Sequence, residues 1–555
     1  MKNIDPIKME VIRNALSSVS EQMSLTIVKT AYSTIIREIL DFSTALFDAK
    51  GRIVAPSAQI PFQMNSMSPA LEGMFRYYPL DEWNPGDVFL MNDPYLGAGH
   101  LPDILTYSPI FYQDQMVAIA GSLAHHIDIG GRSPGSYGGD VTEIFQEGLR
   151  IPPIRLYESG KLNKYFMDIL KSNIREPKKT EGDVGAQVAA LRIGEKGFLE
   201  LVEKHGIETV ASTMNQLLDY SERRMRAKIA ALPDGEYECE DYVDDDGIDD
   251  TPIKVKVKIT IEGDNLTFDF TGSSKQRVGP INATLPTTLS AVYYTVIALL
   301  DPDIPQNHGC YRPIKVIAPE GSVTNVLPPA PVVGRVTICH RMVDAIFGAF
   351  SQVIPEKVTA GYYGMSNVYS ISGFEPKNGK QWVFFDIEVG GWGARYNSDG
   401  PDCYSAHLHN LANTPIEMVE VSYPLRIEKY ELRQDSGGPG KYRGGMGVRR
   451  DLRVLTDATV TTQSDRFKFP AKGFDGGKEG STGRLIVNPD TKEEVFLKSK
   501  TTNYNLFEGD LFSVQTQGGG GYGNPRHRER ELVEQDLREK KISPEQSEQV
   551  YGYKK

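Results

Sequence analysis

The sequence has 555 residues, 40% of them hydrophobic and 24% charged, with a formal net charge of −12. That composition builds an ordinary core without help from disulfides, and at ~150 residues per domain the length predicts about three domains. The acidic balance and the lack of any Lys/Arg block exclude unspecific nucleic-acid binding, which needs a basic face. No apolar run approaches the ~20 residues of a membrane span, and the N-terminus has no signal-like apolar stretch, so no membrane partner is expected. Cys239, Cys310, Cys339 and Cys403 lie far apart without a C-x-x-C. Their spacing excludes zinc-ribbon and thioredoxin motifs and predicts a reducing, cytoplasmic setting.

Asp5-Pro6 predicts an N-cap followed by proline at the first helical position. Ile12, Leu16, Val19, Met23, Ile27 and Ala31 then recur at helical spacing, the buried stripe of a long helix. Over residues 40–55, LDFSTALFDAKGRIVA, the pattern changes to short strands about a turn at 48–51. GDVFLMNDPY and QMVAIAGSLAHH read as further strands. Residues 161–232 turn helical, with a break near Gly206. Alternation returns in PDGEYECEDYVDDDG, and IKVKVKITIEGDNLTFDFTGSS reads as a period-2 hairpin. Asp244, Asp245 and Asp246 lack EF-hand spacing and read as a solvated turn. In the charged tail, Ser543-Pro544-Glu545-Gln546 reads as a capping box. The expected fold class is mixed α+β: several intimately packed domains with antiparallel sheets, long N-terminal and mid-chain helices, and a strand-rich C-terminal region. The expected boundaries are 1–232, 233–422, 423–524 and a helical tail at 525–555.

His100 and Asp103 are separated by Leu101-Pro102. Proline restrains the residue before it to extended geometry, so this pair sits on a loop. A stiff loop carrying an imidazole and a carboxylate suits a borderline divalent cation; structural hydrogen bonding is the other reading. His125-His126 ends a strand. Alternation puts Val117, Ile119, Leu123 and His125 on one face, and Met116, Ala118, Ala120, Ala124 and His126 on the other. Only one of the two histidines can face a given site, and two histidines satisfied at a strand end is the competing reading. Asp41, at the start of a strand, is either a turn acid or the completion of a two-His, two-carboxylate set fit for zinc, manganese or iron.

The stretches NDPYLGAGHLPD, AHHIDIGG, IFQEGLRIPP, GGWGARYNSDGPD, NLANTPIEMVE, LRQDSGGPGKYRGGMGV and GGGGYGNP resemble the hydantoinase B / 5-oxoprolinase B family, in family order over residues 4–553. The resemblance implies a subunit of an ATP-dependent enzyme that opens a cyclic amide (a lactam, 5-oxoproline or a hydantoin) by attack of a metal-bound water after phosphorylation. Its metal ligands would be Asp41, His100, Asp103 and His125, with zinc favoured and manganese or iron admissible. His126 would be catalytic, facing substrate or orienting a ligand. The alternative is a subunit of an ATP-dependent ketone carboxylase.

Such chemistry needs a nucleotide site, and the sequence has no G-x-x-x-x-G-K-[ST]. Gly518, Gly520 and Gly523 spell G-x-G-x-x-G, but Pro525 follows at once and no βαβ unit does, so tight-turn glycines are the better reading. In DSGGPGKYRGGMG, which carries Lys441 and Arg443, the glycines read as hairpin and bulge positions. ATP and Mg are therefore expected on a partner, which the family implies is an A-type subunit of actin-like fold in an α2β2 heterotetramer. Trp392, Arg395 and Asp399 sit in a loop that either lines the substrate pocket or packs a turn.

Overall fold

The computed structural model describes residues 5–57, 60–375 and 379–554. Helix α1 (Pro6–Thr30) begins as its capping signal predicts, with the Asp5 carboxylate accepting from the Ile7 N–H at 3.1 Å. Its stripe of Ile12, Leu16, Val19, Met23 and Ile27 is buried. The short α2 (Thr34–Arg37) leads into the hairpin β1 (Phe42–Asp48) and β2 (Ile53–Pro56), followed by α3 (Pro61–Tyr77). Strands β3 (Val88–Met91), β4 (Asp103–Tyr112), β5 (Gln115–His125), β6 (Ile154–Glu158) and β7 (Lys161–Leu162) complete a seven-stranded antiparallel sheet ordered β2-β1-β5-β4-β3-β6-β7. Beyond α4 (Lys164–Ser172), α5 (Pro177–His205) packs with α1 on one face of this sheet, and α3 covers the other. Because both faces are covered, β1 is buried along its whole length instead of alternating.

The β4–β5 register slips between Ile110 and Phe111. This bulge turns Met116 to the α3 side and Val117 to the α1/α5 side, the reverse of the simple alternation. Past the bulge the alternation holds: Ile119 and Leu123 pack on the α3 side, Ala118, Ala120 and Ala124 on the other.

The predicted helix break is real: α5 ends at His205, Gly206 adopts φ 80°, and α6 (Ile207–Ile229) begins. The period-2 segments form β8 (Gly235–Val243), β9 (Ile253–Glu262) and β10 (Asn265–Asp269), joined by β11 (Ile314–Ile317) in a second sheet. Val255, Val257, Ile259 and Ile261 turn its apolar face to the core that holds α7 (Leu285–Leu300) and α8 (Arg335–Phe350). A third sheet pairs Asn367–Phe374 and Gln381–Glu388 with Ala458–Gln463 and Lys500–Leu506, so it takes strands from both sides of residue 422. A five-stranded sheet between residues 425 and 515 packs against it. No helix among the described residues is long and apolar enough to cross a membrane, and the cysteines are free thiols.

Three local expectations are corrected. Asp244, Asp245 and Asp246 are buried, not a solvated turn. Lys500 Nζ stands 3.3 Å from both Asp245 and Asp465, Arg277 reaches Asp246 at 3.3 Å, and the Phe467 and Phe469 N–H groups donate to Asp244 at 2.6 and 3.1 Å. Burial, and then the neighbouring Asp465, push Asp244 up to about 6. The glycines of GGGGYG and DSGGPGKYRGGMG are not mainly turn residues: of 518–521 and 523, only Gly523 has a positive φ, 73°. They allow backbones to touch. A Cβ on Gly519 would lie 1.9 Å from the Trp392 carbonyl oxygen, and one on Gly445 the same 1.9 Å from that of Pro401. The capping box is half made: Ser543 Oγ accepts from the Gln546 N–H at 3.1 Å, while Gln546 Oε1 has no partner.

Candidate metal centre

The central strands bring three separated stretches of chain to one point. Asp41 enters β1, and its carbonyl accepts from the His125 N–H at 3.0 Å. Asp103 heads β4 directly opposite His125, the last residue of β5. His100 lies in the turn before it, its carbonyl accepting from the Asp103 N–H at 3.0 Å. The side chains of Asp41, His100, Asp103 and His125 thus line one cavity of about 30 Å³, together with Tyr137, Arg335 and His409. That is room for a small polar occupant such as a water molecule, which needs about 10–15 Å³. The two imidazole centroids are 4.8 Å apart.

Several polar atoms here have nothing to bind. Among the described residues, both ring nitrogens of His125 and Asp103 Oδ1 are buried without a hydrogen-bond partner. His100 Nδ1 stands 2.8 Å from Asp103 Oδ2 but out of line for a hydrogen bond, while its Nε2 meets the Tyr137 hydroxyl at 3.1 Å. An unsatisfied buried polar group costs about 1–3 kcal/mol, so this many around one small cavity mark the place of a polar occupant. The carboxylates also have fixed partners: Arg335 Nη2 donates to Asp103 Oδ2 at 2.9 Å, and Gln63 Nε2 to Asp41 Oδ1 at 2.6 Å. As placed here, no group of three or more His, Cys, Asp or Glu among the described residues could hold a metal ion.

Burial sets the charges. It pushes His100 down to about 4, with Arg335 adding to the effect, and holds His125 well below the usual imidazole range. Both rings are therefore neutral at pH 7, as metal binding requires. Burial alone would raise Asp103, but His100 and Arg335 outweigh it and hold the carboxyl below the ordinary range. Asp41 goes the other way: burial, then the Asp103 charge, push it up to about 8.

His126 does not join its neighbour. Strand alternation turns it to the opposite sheet face, where its Nε2 meets Gln187 Oε1 of α5 at 3.1 Å, and it is not among the residues lining the cavity. His126 thus faces α5 and not the cavity, with its Nδ1 unpartnered among the described residues. Arg335, Gln63, Tyr137 and His409 were not legible as site residues. They reach the cavity from distant elements and carry no local motif. In the Trp392 loop, Asp399 is occupied by both terminal nitrogens of Arg528 at 2.7 Å, the Arg395 N–H closes a turn onto the Ser398 carbonyl at 2.9 Å, and Trp392 lines a second, larger cavity.

The approach to α8, which carries Arg335, depends on another buried carboxyl. Glu147 Oε1 accepts from the Val332 and Val333 N–H groups at 2.7 and 2.8 Å, and burial pushes Glu147 up to about 8. The folded chain therefore holds a proton that the unfolded chain releases near pH 4.3. This group's contribution is full below that value and is lost as pH rises through 8, at up to about 1.4 kcal/mol per pH unit between the two. Glu147→Gln keeps the acceptor oxygen and cannot ionise. Thermal unfolding should show its stability relative to wild type improving steadily from about pH 5 to pH 8; a constant difference would contradict the assignment.

The sequence pattern of the hydantoinase B/oxoprolinase family matches residues 5–525. The chain is 39% identical over 568 residues to a protein of Pseudomonas sp. (strain NS671) provisionally named as the B component of a D-/L-hydantoinase, covering 100% of this chain and 95% of that one. Its fold superposes on the crystal structure of the ATP-dependent caprolactamase from Pseudomonas jessenii with a TM-score of 0.93 at 30% identity, over 100% of this chain and 97% of the other. An acetone carboxylase structure shares the fold at a TM-score of 0.91 and 22% identity, over 99% of this chain and 79% of that one. The chain belongs to the hydantoinase B/oxoprolinase family.

Proposed function

We propose that this chain is the B-type component of an ATP-dependent hydrolase that opens a cyclic amide, with Asp41, His100, Asp103 and His125 holding a divalent metal. The observation that carries the reading is the convergence of these side chains on one small cavity with both His125 nitrogens and Asp103 Oδ1 unpartnered. Similarity to a hydantoinase component and to a caprolactamase supports the substrate class. Two imidazoles with two carboxylates favour zinc, and manganese or iron would accept the same donors. A cation bound there supplies Lewis-acid activation of a water nucleophile at neutral pH.

The chain's own residues prepare the site. Burial keeps the imidazoles neutral, Arg335 holds Asp103 ionised, and Gln63 fixes Asp41. Tyr137 orients the His100 ring through its Nε2. The glycine segments are consumed in backbone packing, so we assign ATP and its Mg to an A-type partner subunit, in an α2β2 assembly. Free thiols suit the reducing cytoplasm.

The test is the purified complex with its A-type partner, ATP and Mg, assayed on hydantoin, 5-oxoproline and caprolactam. ATP-dependent ring opening without added bicarbonate is expected. Turnover of a ketone that requires bicarbonate, with no ring opened, would replace this reading by the carboxylase one.

A further inference from the structure

Beside the metal cavity lies a larger one of about 810 Å³, and His409 lines both. Exposed Asp303, Tyr404 and Asn410 on the wall of the larger cavity open it to solvent. The small cavity is closed by contrast. Its lining residues among those described are all buried except Ile387 and His409. Of the two cavities Ile387 lines only the small one, so His409 is where the buried site meets a space that water reaches.

The partition has two parts. One is the first turn of α3, with Phe62 and Gln63 on the small cavity and Pro61 and Met64 on the large. The other is the turn at 406–409, closed by the His409 N–H donating to the Ala406 carbonyl at 3.0 Å. The Phe62 N–H donates to the Leu408 carbonyl at 3.3 Å and ties the two parts together. The backbone of the wall is thus fixed, while the His409 side chain is held lightly. Ser366 Oγ lies 3.1 Å from its Nδ1 and 3.3 Å from its Nε2, and among the described residues neither nitrogen has another partner. Its neighbour His340 is anchored, with Nδ1 2.6 Å from the Tyr362 hydroxyl, and stands edge-on to the His409 ring with centroids 5.0 Å apart. In swinging toward the large cavity the His409 imidazole gives up one hydroxyl contact, which water can replace there.

We propose that the His409 imidazole is the gate between the two cavities: swung aside it joins them, and a cyclic amide standing in the large cavity can present its carbonyl carbon to the metal cavity. The ring acts by its bulk, so the role is the same whichever nitrogen carries the proton. A side chain that must move before substrate and site can meet selects by size as well as by time. The identity of the ligand rests on the hydrolase reading above; the gate itself rests on the geometry of the two cavities.

The gate is tested in the full chain with a thiol probe. Val336→Cys places a thiol on the wall of the small cavity; methyl methanethiosulfonate is the reagent, and modified peptides are counted by mass spectrometry. Adding His409→Ala should speed the modification about tenfold or more. Adding Ser366→Ala instead, which frees the ring but leaves it in place, should give a smaller rise. Cys310 and Cys339, both buried, should stay unreacted in every variant and report any general loosening. No acceleration in His409→Ala, an acceleration matched at Cys310 and Cys339, or a larger one in Ile387→Ala would overturn the gate. In the complex with the A-type partner, His409→Ala should raise kcat/KM for larger lactams relative to smaller ones; an equal effect on all would deny the gate any part in selection. A wild-type complex that opens no ring would defeat the hydrolase reading and leave the labelling result standing.

Discussion

His125→Ala should lose ring opening by on the order of 10³-fold or more, together with the bound metal, while ATP turnover by the partner falls much less. The asymmetry follows from the geometry. His125 spends neither ring nitrogen on the protein, so removing it takes away a ligand and breaks no internal hydrogen bond. In the metal-free chain the loss of packing is offset because two unsatisfied buried nitrogens also leave, so the stability of that form should change little. His126→Ala is the matched control. It breaks the contact with Gln187 and should lower stability by about 1 kcal/mol while metal content is retained. Metal analysis, calorimetry and separate assays of ring opening and ATP turnover would distinguish the two variants. If His125→Ala left ring opening and ATP turnover both intact, the chain would be a scaffold for the ATPase partner and not a catalytic one.

The largest effect on stability is expected from Arg341→Met. Arg341 is fully buried on α8, with Nη2 2.6 Å from Asp465 and Nη1 3.5 Å from both Asp241 and Asp344. It therefore ties α8 to β8 and to a segment more than a hundred residues further on. Methionine fills similar volume but leaves Asp241, Asp344 and Asp465 sharing, among the described residues, Arg466, Lys472 and Lys500. Breaking a buried ion network by removing one partner costs about 3–5 kcal/mol, because the remaining charges stay buried. A marked fall in unfolding midpoint and soluble yield is expected; a midpoint equal to wild type would show that Arg466, Lys472 and Lys500 suffice to carry the charge.

How much the sequence revealed depended on how local the physics was. The Asp5 cap, the α1 stripe, the Gly206 break and the β9–β10 hairpin each rest on neighbouring residues, and all are found where expected. The metal candidates were legible because proline stiffens the turn between His100 and Asp103, and because alternation allows only one histidine of the doublet to face the site. Long-range terms were hidden. Arg335 lies 232 positions from Asp103, and Lys500 still further from Asp245, so an acidic run that is in fact buried read as solvated. The glycine segments misled for a related reason. A glycine needed for positive φ and one needed for backbone contact look alike in sequence, and only packing tells them apart.

The most direct test is metal stoichiometry. Purified wild-type protein, His100→Ala and His125→Ala should be analysed by mass spectrometry of dissolved metals after growth with zinc, manganese and iron all supplied. One equivalent of divalent metal per wild-type chain, lost from both variants, is the expected result. A wild-type chain that carries none and still supports full ring opening after exhaustive chelation would contradict the account.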